Sequence, residues 1–456
     1  MSGEQAARTL TARDVPSKFL RNVLPDIKPA REHPSFRRLL FASAFSSLGS
    51  TMTTFAVTLE IWQISHSSFD VGMLGVAKFV PVFSVGILGG SMADSLNRRR
   101  LVILSYIGLA IVSAAFAAQA YGGFEHLWLL YLLTLFQGSI RAIGSPARRT
   151  FTAWLLPRDQ LAAGIALDTL SGRVVLLAGP ALAGLVSATV GLKLCYAIDA
   201  ASFAPSFYAV ARLPAMSSGQ TAKGRNSSPF RFRKAAAGIA YAARRPVLAA
   251  AFLCDFNAMF LGLPVAIFPA LNSAHFGGSP ETLGLLTTAV GAGGTVCAFV
   301  SGAVRRVKWP GRGMLAATLI WGVAIAGFGL TRNFPVAFAL LVVAGAADTV
   351  TVMFGRTISQ TLVAEEFRGR VSTIEYAIGT AGGPLGNVES GVVASLTSPV
   401  ISVVSGGVAC AFVSMLIGVL FPAFRSYRRN SEEPTADAKP TADAKPAADA
   451  KPAAAK

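Results

Sequence analysis

This sequence is short of charge. Only 14% of its 456 residues are charged, against roughly a quarter in a soluble globular chain, so the usual water-facing surface is excluded. Groups that carry catalysis or bind metals are as thin. The four histidines fall in loops or flanks, and Cys195, Cys254, Cys297 and Cys410 are each isolated inside an apolar stretch. That leaves no metal-ligand spacing and no disulfide framework, and the cysteines read as small buried apolar residues. No phosphate-binding glycine loop, nucleophile elbow or metal box appears. An enzyme, a resident cofactor or metal, and direct use of ATP are therefore not expected. No apolar core with a small-residue cleavage site opens the chain, so a signal peptide is not expected either. Residues 1–37 read as a loose cytosolic segment, with a short surface helix around Phe19–Leu24 as the other option.

What the chain has instead is apolar length. Hydrophobic residues make up 53% of it, and the mean hydropathy is +0.54. From Leu39 onward, runs recur that are long enough to span a bilayer, each needing about 20 residues of helix. Twelve are read, at 38–63, 70–93, 99–121, 126–146, 160–187, 192–212, 246–272, 281–304, 312–331, 334–359, 371–396 and 399–423. The net charge of +18 does not point to nucleic acid, because the cations sit in short connections rather than on one amphipathic surface. Alternate connections differ sharply. One set carries Arg98–Arg100, Arg148, Arg149, Arg158, Lys223 to Arg245, Arg305, Arg306, Lys308, Arg312, Arg368 and Arg370; the other has only Lys193 and Arg332 between spans. Cations mark the cytoplasmic side, so both termini and the middle loop are expected there.

The chain divides into an N-terminal segment (1–37), a six-helix bundle (38–212), a linker (213–245), a second bundle (246–424) and a tail (425–456). The linker ends in Phe230–Arg231–Phe232–Arg233–Lys234 and an Ala-rich stretch, the pattern of an amphipathic surface helix. Beyond Arg429 the tail repeats Thr-Ala-Asp-Ala-Lys-Pro and has nothing larger than alanine to bury, so disorder is expected. The bundles repeat one another. Arg149–Thr150–Phe151–Thr152 leads through Leu155–Leu156 to Asp159 and on to Gly179–Pro180. Arg356–Thr357–Ile358–Ser359 leads through Leu362–Val363 to Glu366 and on to Gly383–Pro384, with the two arginines 207 residues apart. Two halves with Gly/Pro-interrupted helices in matching places describe a secondary transporter.

The connection between spans 2 and 3 reads Gly90-Ser91-Met92-Ala93-Asp94-Ser95-Leu96-Asn97-Arg98-Arg99. It resembles the major facilitator superfamily motif Gly-x-Leu-Ala-Asp-Arg-x-Gly-Arg-Arg/Lys. Ser95 and Asn97 depart from it, though asparagine can take the left-handed turn that glycine would. Ser145-Pro146-Ala147-Arg148-Arg149, Gly179-Pro180-Ala181-Leu182-Ala183-Gly184, Tyr196-Ala197-Ile198-Asp199 and Arg368-Gly369-Arg370-Val371 are similar to the branch of enterobactin exporters and macrolide efflux proteins. The resemblance covers roughly residues 35–425 and implies an all-α membrane protein of twelve transmembrane helices in two pseudo-symmetric halves. It also implies a latch, in which Gly90, Asp94, Arg98 and Arg99 hold the cytoplasmic side closed. On span 5 it implies an exporter motif at Gly179, Pro180 and Gly184, where proline removes a backbone bond and glycine permits close packing. The arginine that many antiporters carry on span 4 would fall at Thr134, with Arg141 replacing it one helical face later.

An ionisable residue at membrane depth is a functional candidate by default. Asp255 lies about nine residues into span 7, roughly 14 Å deep at 1.5 Å per residue, with Asn257 nearby, and Asp348 is central in span 10. Spans 1, 4, 7 and 10 line the cavity of the superfamily fold, so both aspartates are expected to face the substrate path. Glu389, Lys78 and Arg141 are further candidates, and Glu60 is placed within reach of Lys78 by the family arrangement. Asp168, Arg173 and Asp199 read as structural. A carboxyl in a partly dry cavity is easier to protonate, and a cationic or polar substrate would expel that proton. The expectation is a monomeric exporter of an amphipathic small molecule such as a siderophore or drug. Protons, membrane lipids and the substrate are its partners, and nucleic acid is not. The alternatives are a lipid or lysolipid translocator and a non-transporting sensor or scaffold.

Overall fold

The computed structural model describes residues 26–95, 98–213, 238, 240–262, 264–299 and 307–428, and among these every regular element is a helix. Twelve are long: α1 (Pro34–Ser65), α2 (Ser68–Ser95), α3 (Arg98–Gly122), α4 (Leu127–Leu155), α5 (Leu161–Thr189), α6 (Leu192–Ala211), α7 (Pro246–His275), α8 (Pro280–Phe299), α9 (Pro310–Leu330), α10 (Phe334–Leu362), α11 (Glu365–Leu396) and α12 (Pro399–Leu420). Their ends follow local chemistry. Pro34, Pro246, Pro310 and Pro399 sit in first turns, where the missing N–H has no partner to lose. Asn333 and Ser398 cap α10 and α12, accepting from the Val336 and Ile401 amides at 3.3 and 3.2 Å. Gly191 turns the chain between α5 and α6 at φ 101°, a conformation open mainly to glycine.

The seventh span is not continuous. Its helix stops at Leu261, resumes through a 3-10 turn at Val265–Ile267 and finishes as Phe268–His275. Pro264 cannot continue the ladder, and the Trp321 indole of α9 presses on Gly262 where a Cβ would stand. Two other spans run past their apolar stretches: α4 continues over Pro146 to Leu155, and α11 begins at Glu365.

Packing repeats as the sequence does. In the first six helices α1 packs on α5 and α6, α3 on α4 and α6, and α2 on α4. In the last six α7 packs on α11 and α12, α9 on α10 and α12, and α8 on α10. Each of these pairings recurs six helices later. The ends also keep one interval: α4 and α10 begin and end 207 residues apart, as do the last residues of α5 and α11 and the first of α6 and α12. The two halves meet along two seams, α2 on α11 and α5 on α8, which the same two-fold relation exchanges.

Nine of the described helices are long and apolar enough to cross a membrane, by length and composition; α2, α8 and α11 are outside that set. All three are seam helices, as is α5, which is within the set. Outside the bundle, exposed side chains form apolar stripes at helical spacing, such as Leu104, Ile107 and Ile111 on α3 and Val408, Phe412, Met415 and Val419 on α12. Such stripes suit lipid, not water. The expected linker helix falls mostly on residues 214–237, and the tail largely on 429–456; both stretches, like residues 1–25, lie outside the described residues. The end of the linker is helical at 240–243, where Tyr241 stacks on Phe367 of α11 at 4.2 Å.

Candidate functional site

The seams are tight at one end. Gly184 of α5 and Gly284 of α8 face each other so closely that a Cβ on Gly184 would stand 2.6 Å from the Pro280 carbonyl oxygen, and one on Gly284 2.7 Å from that of Pro180. On the other seam a Cβ on Gly72 would meet the Asn387 carbonyl oxygen at 2.6 Å, and Gly75 abuts the Pro384 carbonyl. Glycine is what allows two helix backbones to come so near. These contacts lie toward the end remote from the linker, as does the Trp62 indole N–H of α1 donating to the Ser273 hydroxyl of α7 at 3.0 Å. Toward the linker end α5 and α11 lose such close neighbours. A Cβ on Gly172 of α5, or on Gly369 or Gly379 of α11, would meet nothing within 4 Å. Gly172 and Gly379, Gly179 and Gly386, and Gly184 and Gly391 are each 207 residues apart, so α5 and α11 open and close at matching levels. Among the described residues the halves are thus packed at the far end and open beside α5 and α11 at the linker end.

Charges converge between the two halves. Asp255 of α7 has Glu375 of α11 and Arg356 of α10 as charged neighbours, and Asp348 of α10 has Asp255 and Arg173 of α5. Arg173 comes from the other half. Its Nη1 lies 3.2 Å from where a Cβ on Gly294 of α8 would stand, and the Thr349 hydroxyl lies 2.8 Å from the same point. Arg356 is exposed and the other four are half-buried. Asp348 Oδ1 and Glu375 Oε1 are enclosed without a hydrogen-bond partner. The one ion pair among the described residues is Arg368–Glu365 at the surface, so no close pair neutralises this set. Charges held this way are expensive and characteristic of ion and substrate pathways.

The family described as transmembrane secretion effector matches residues 27–447. The chain belongs to that family, in the major facilitator superfamily. Enterobactin exporter EntS of Shigella boydii and that of Escherichia coli are each 25% identical to this chain over 410 residues, 89% of this chain and 96% of theirs. Among solved structures, nucleoside transporter NupG is similar with a TM-score of 0.66 at 14% identity, covering 86% of this chain and 100% of its own. A bacterial homologue of the human lysosomal transporter Spinster, in an inward-facing and unoccupied conformation, gives 0.65 at 17% identity, covering 87% and 96%. The family and these relatives are transporters, and this chain is a multi-pass membrane protein with their fold.

The site residues read from the sequence separate into groups. Asp255 and Asp348 come together. Asn257 does not join them: two residues along a helix is more than half a turn, and its amide instead donates to the Cys410 carbonyl at 3.0 Å and the Ser414 hydroxyl at 3.2 Å on α12. Glu60 does not reach Lys78. It accepts from Gln119 at 2.8 Å and from the Tyr196 hydroxyl, on α3 and α6, while the charged neighbour of Lys78 is Arg141. Glu389 is half-buried in the closed half of α11, apart from the cluster. Thr134 is buried and donates to the Leu130 carbonyl of its own helix at 2.7 Å. Gly179 packs on Thr51 of α1, and Pro180 and Gly184 form the α5–α8 contact.

Gly90 and Asp94 belong to the stretch of α2 whose side chains lie outside the described residues. Arg98 is half-buried, and Arg99 donates to the last carbonyls of α6, to Val210 at 3.3 Å and to Ala211. Asp199 is fully buried and accepts from Ser50, Thr53 and Ser113 at 3.1, 2.8 and 2.7 Å, tying α6 to α1 and α3. Asp168 helps line a cavity of about 230 Å³ with Tyr106, Arg148 and Thr152. Glu375 and Arg173 were not singled out as site residues by the sequence reading. One signal did exist for Glu375, which stands 207 residues after Asp168.

Proposed function

We propose that this protein is a secondary active exporter. It moves an amphipathic small molecule, a siderophore or a drug, across a bacterial inner membrane in exchange for inward-moving protons, by rocking its two halves. The observation that carries this reading is the Asp255–Asp348–Glu375 set, with Asp348 midway along α10 and Arg173 reaching it from the opposite half. A carboxyl so placed loses its proton to bound cargo on one side and regains one on the other, and Arg173 links its state to the angle between the halves. Kinship with enterobactin exporters favours outward movement and a siderophore-like cargo. With cations marking the cytoplasm, both termini face inward and the cleft opens where an exporter loads. The latch of Asp94 and Gly90 with Arg98 and Arg99 would then act when that side closes.

The test is the proton gradient of energised everted vesicles, followed with an acid-sensitive dye as enterobactin or ethidium is added. Wild type is expected to release protons on addition of a cargo, and Asp348→Asn and Asp255→Asn are expected to lose that response. Release that survives both substitutions, or a silent wild type, would overturn the reading.

A further inference from the structure

We propose that Lys78, Arg141 and Gln137 form a subsite for an ionised acidic head group of the cargo. The inference names a ligand chemistry that the exporter reading leaves open, and so it rests on that reading. Lys78 of α2 and Arg141 of α4 are neighbours of like sign, both half-buried, and neither makes an ion pair among the described residues. The carboxylate nearest in effect to Arg141 is Asp199, whose oxygens already accept from three hydroxyls. One turn before Arg141 on the same face of α4 stands Gln137, 9% exposed, with its Nε2 enclosed and without a partner. The opposite face of α4, with Trp128, Leu132 and Phe136, is exposed and apolar. Packing brings the three together: Gly138, beside Gln137, lies against the Pro81 ring, and Pro81 is one turn from Lys78.

Among the described residues, three neighbouring donors therefore have no acceptor within ion-pair or hydrogen-bond reach. Two neighbouring half-buried cations without a close counter-charge are destabilising, and an anion relieves both at once. A guanidinium presents a planar fork that suits a carboxylate, catecholate or phosphate, and the lysine adds a point charge. The two-fold relation gives the cleft polarity. Arg141 and Asp348 are 207 residues apart, so equivalent points of the two halves carry a cation and a carboxylate. An acidic head group is drawn to the α2–α4 wall and repelled from the α7–α10 wall.

The test is equilibrium binding of tritiated 2-naphthoate to the full chain in phosphatidylcholine nanodiscs, with unlabelled 2-naphthoate and 2-naphthylmethylammonium as competitors of one shape and opposite charge. The acid is expected to compete and the amine not to. Lys78→Gln and Arg141→Gln should each weaken binding about tenfold or more, the worth of one charge-assisted hydrogen bond. Lys78→Arg should retain it, and Gln137→Glu, which places a carboxylate among the donors, should abolish it. Lys193→Gln, a cation stacked on Tyr121 at 5.6 Å outside the cleft, should leave it unchanged. Equal binding by wild type and Lys78→Gln, or displacement by the amine, overturns the subsite. Loss of naphthoate binding when phosphatidylglycerol is added to the discs overturns the cargo assignment in favour of a lipid head group. The assay needs neither gradient nor transport. A protein that binds naphthoate here and exports nothing removes the exporter reading alone, and one that exports with binding insensitive to Lys78 removes the subsite alone.

Discussion

Adding one methyl group at Gly184 should shift this protein between conformations. A Cβ there lies 2.6 Å from the Pro280 carbonyl oxygen, and ordinary contact begins at 3.4 Å. The backbones of α5 and α8 must therefore move apart by up to 0.8 Å along that line, at a contact where no flexible side chain can yield. Overpacking of this kind costs about 1–3 kcal/mol, and the cost falls only on the state in which this end is closed. The closed population should drop roughly 5- to 150-fold relative to the open one. Gly172→Ala is the matched control, because it removes a glycine from the same helix and its Cβ meets nothing within 4 Å. Spin labels at Val190→Cys and Ala274→Cys, both exposed at the closed end, report the separation of the halves by electron–electron resonance. The four native cysteines are buried and out of reach of the label. Gly184→Ala should add a longer distance that Gly172→Ala does not. If the two variants and the wild type give one distribution, or if the control shifts as much, the seam contact does not hold this end closed.

Two further substitutions separate framework from pathway. Asn257→Ala should lower stability by about 1 kcal/mol through loss of its bonds to α12, with cargo selectivity unchanged; melting in detergent beside transport would show both. Asp199→Asn can keep its oxygen where Thr53 and Ser113 donate, but it then turns an NH2 toward the Ser50 hydroxyl, which loses its acceptor. A stranded hydroxyl costs about 1–3 kcal/mol, so the melting temperature should fall at least as far as that of Asn257→Ala.

The spans were legible because twenty apolar residues in a row have few other uses. The break in α7 was not. Gly262 and Pro264 are plain in the sequence, but membrane helices tolerate both, and Trp321 from a distant helix presses at the point where the chain yields. Asp255 and Asp348 stood out because carboxylates at apolar depth are rare. Asn257 was drawn in by sequence proximity, which in a helix places a residue two positions away on nearly the opposite face. Glu60 had several polar groups within plausible reach, and tertiary packing chose Gln119 and Tyr196 over Lys78. Arg173 read as structural when weighed alone; only the approach of α5 to α8 and α10 gives it Asp348 as a neighbour.

A cleft open at one end also shapes the electric field. Water entering from the linker end carries the potential of that side inward to the level of Gly172 and Gly379. The membrane voltage then falls mainly across the short tight portion of the seams, from Gly179 to Thr189 and from Gly386 to Leu396. In the proposed proton exchange, a proton reaching Asp348 from the open side would do little electrical work. One passing between Asp348 and the far side would cross nearly the whole drop, about 2.3 kcal/mol per 100 mV. Under that proposal voltage acts through a gap of a few helical turns, and rocking of the halves would move the gap to the other side.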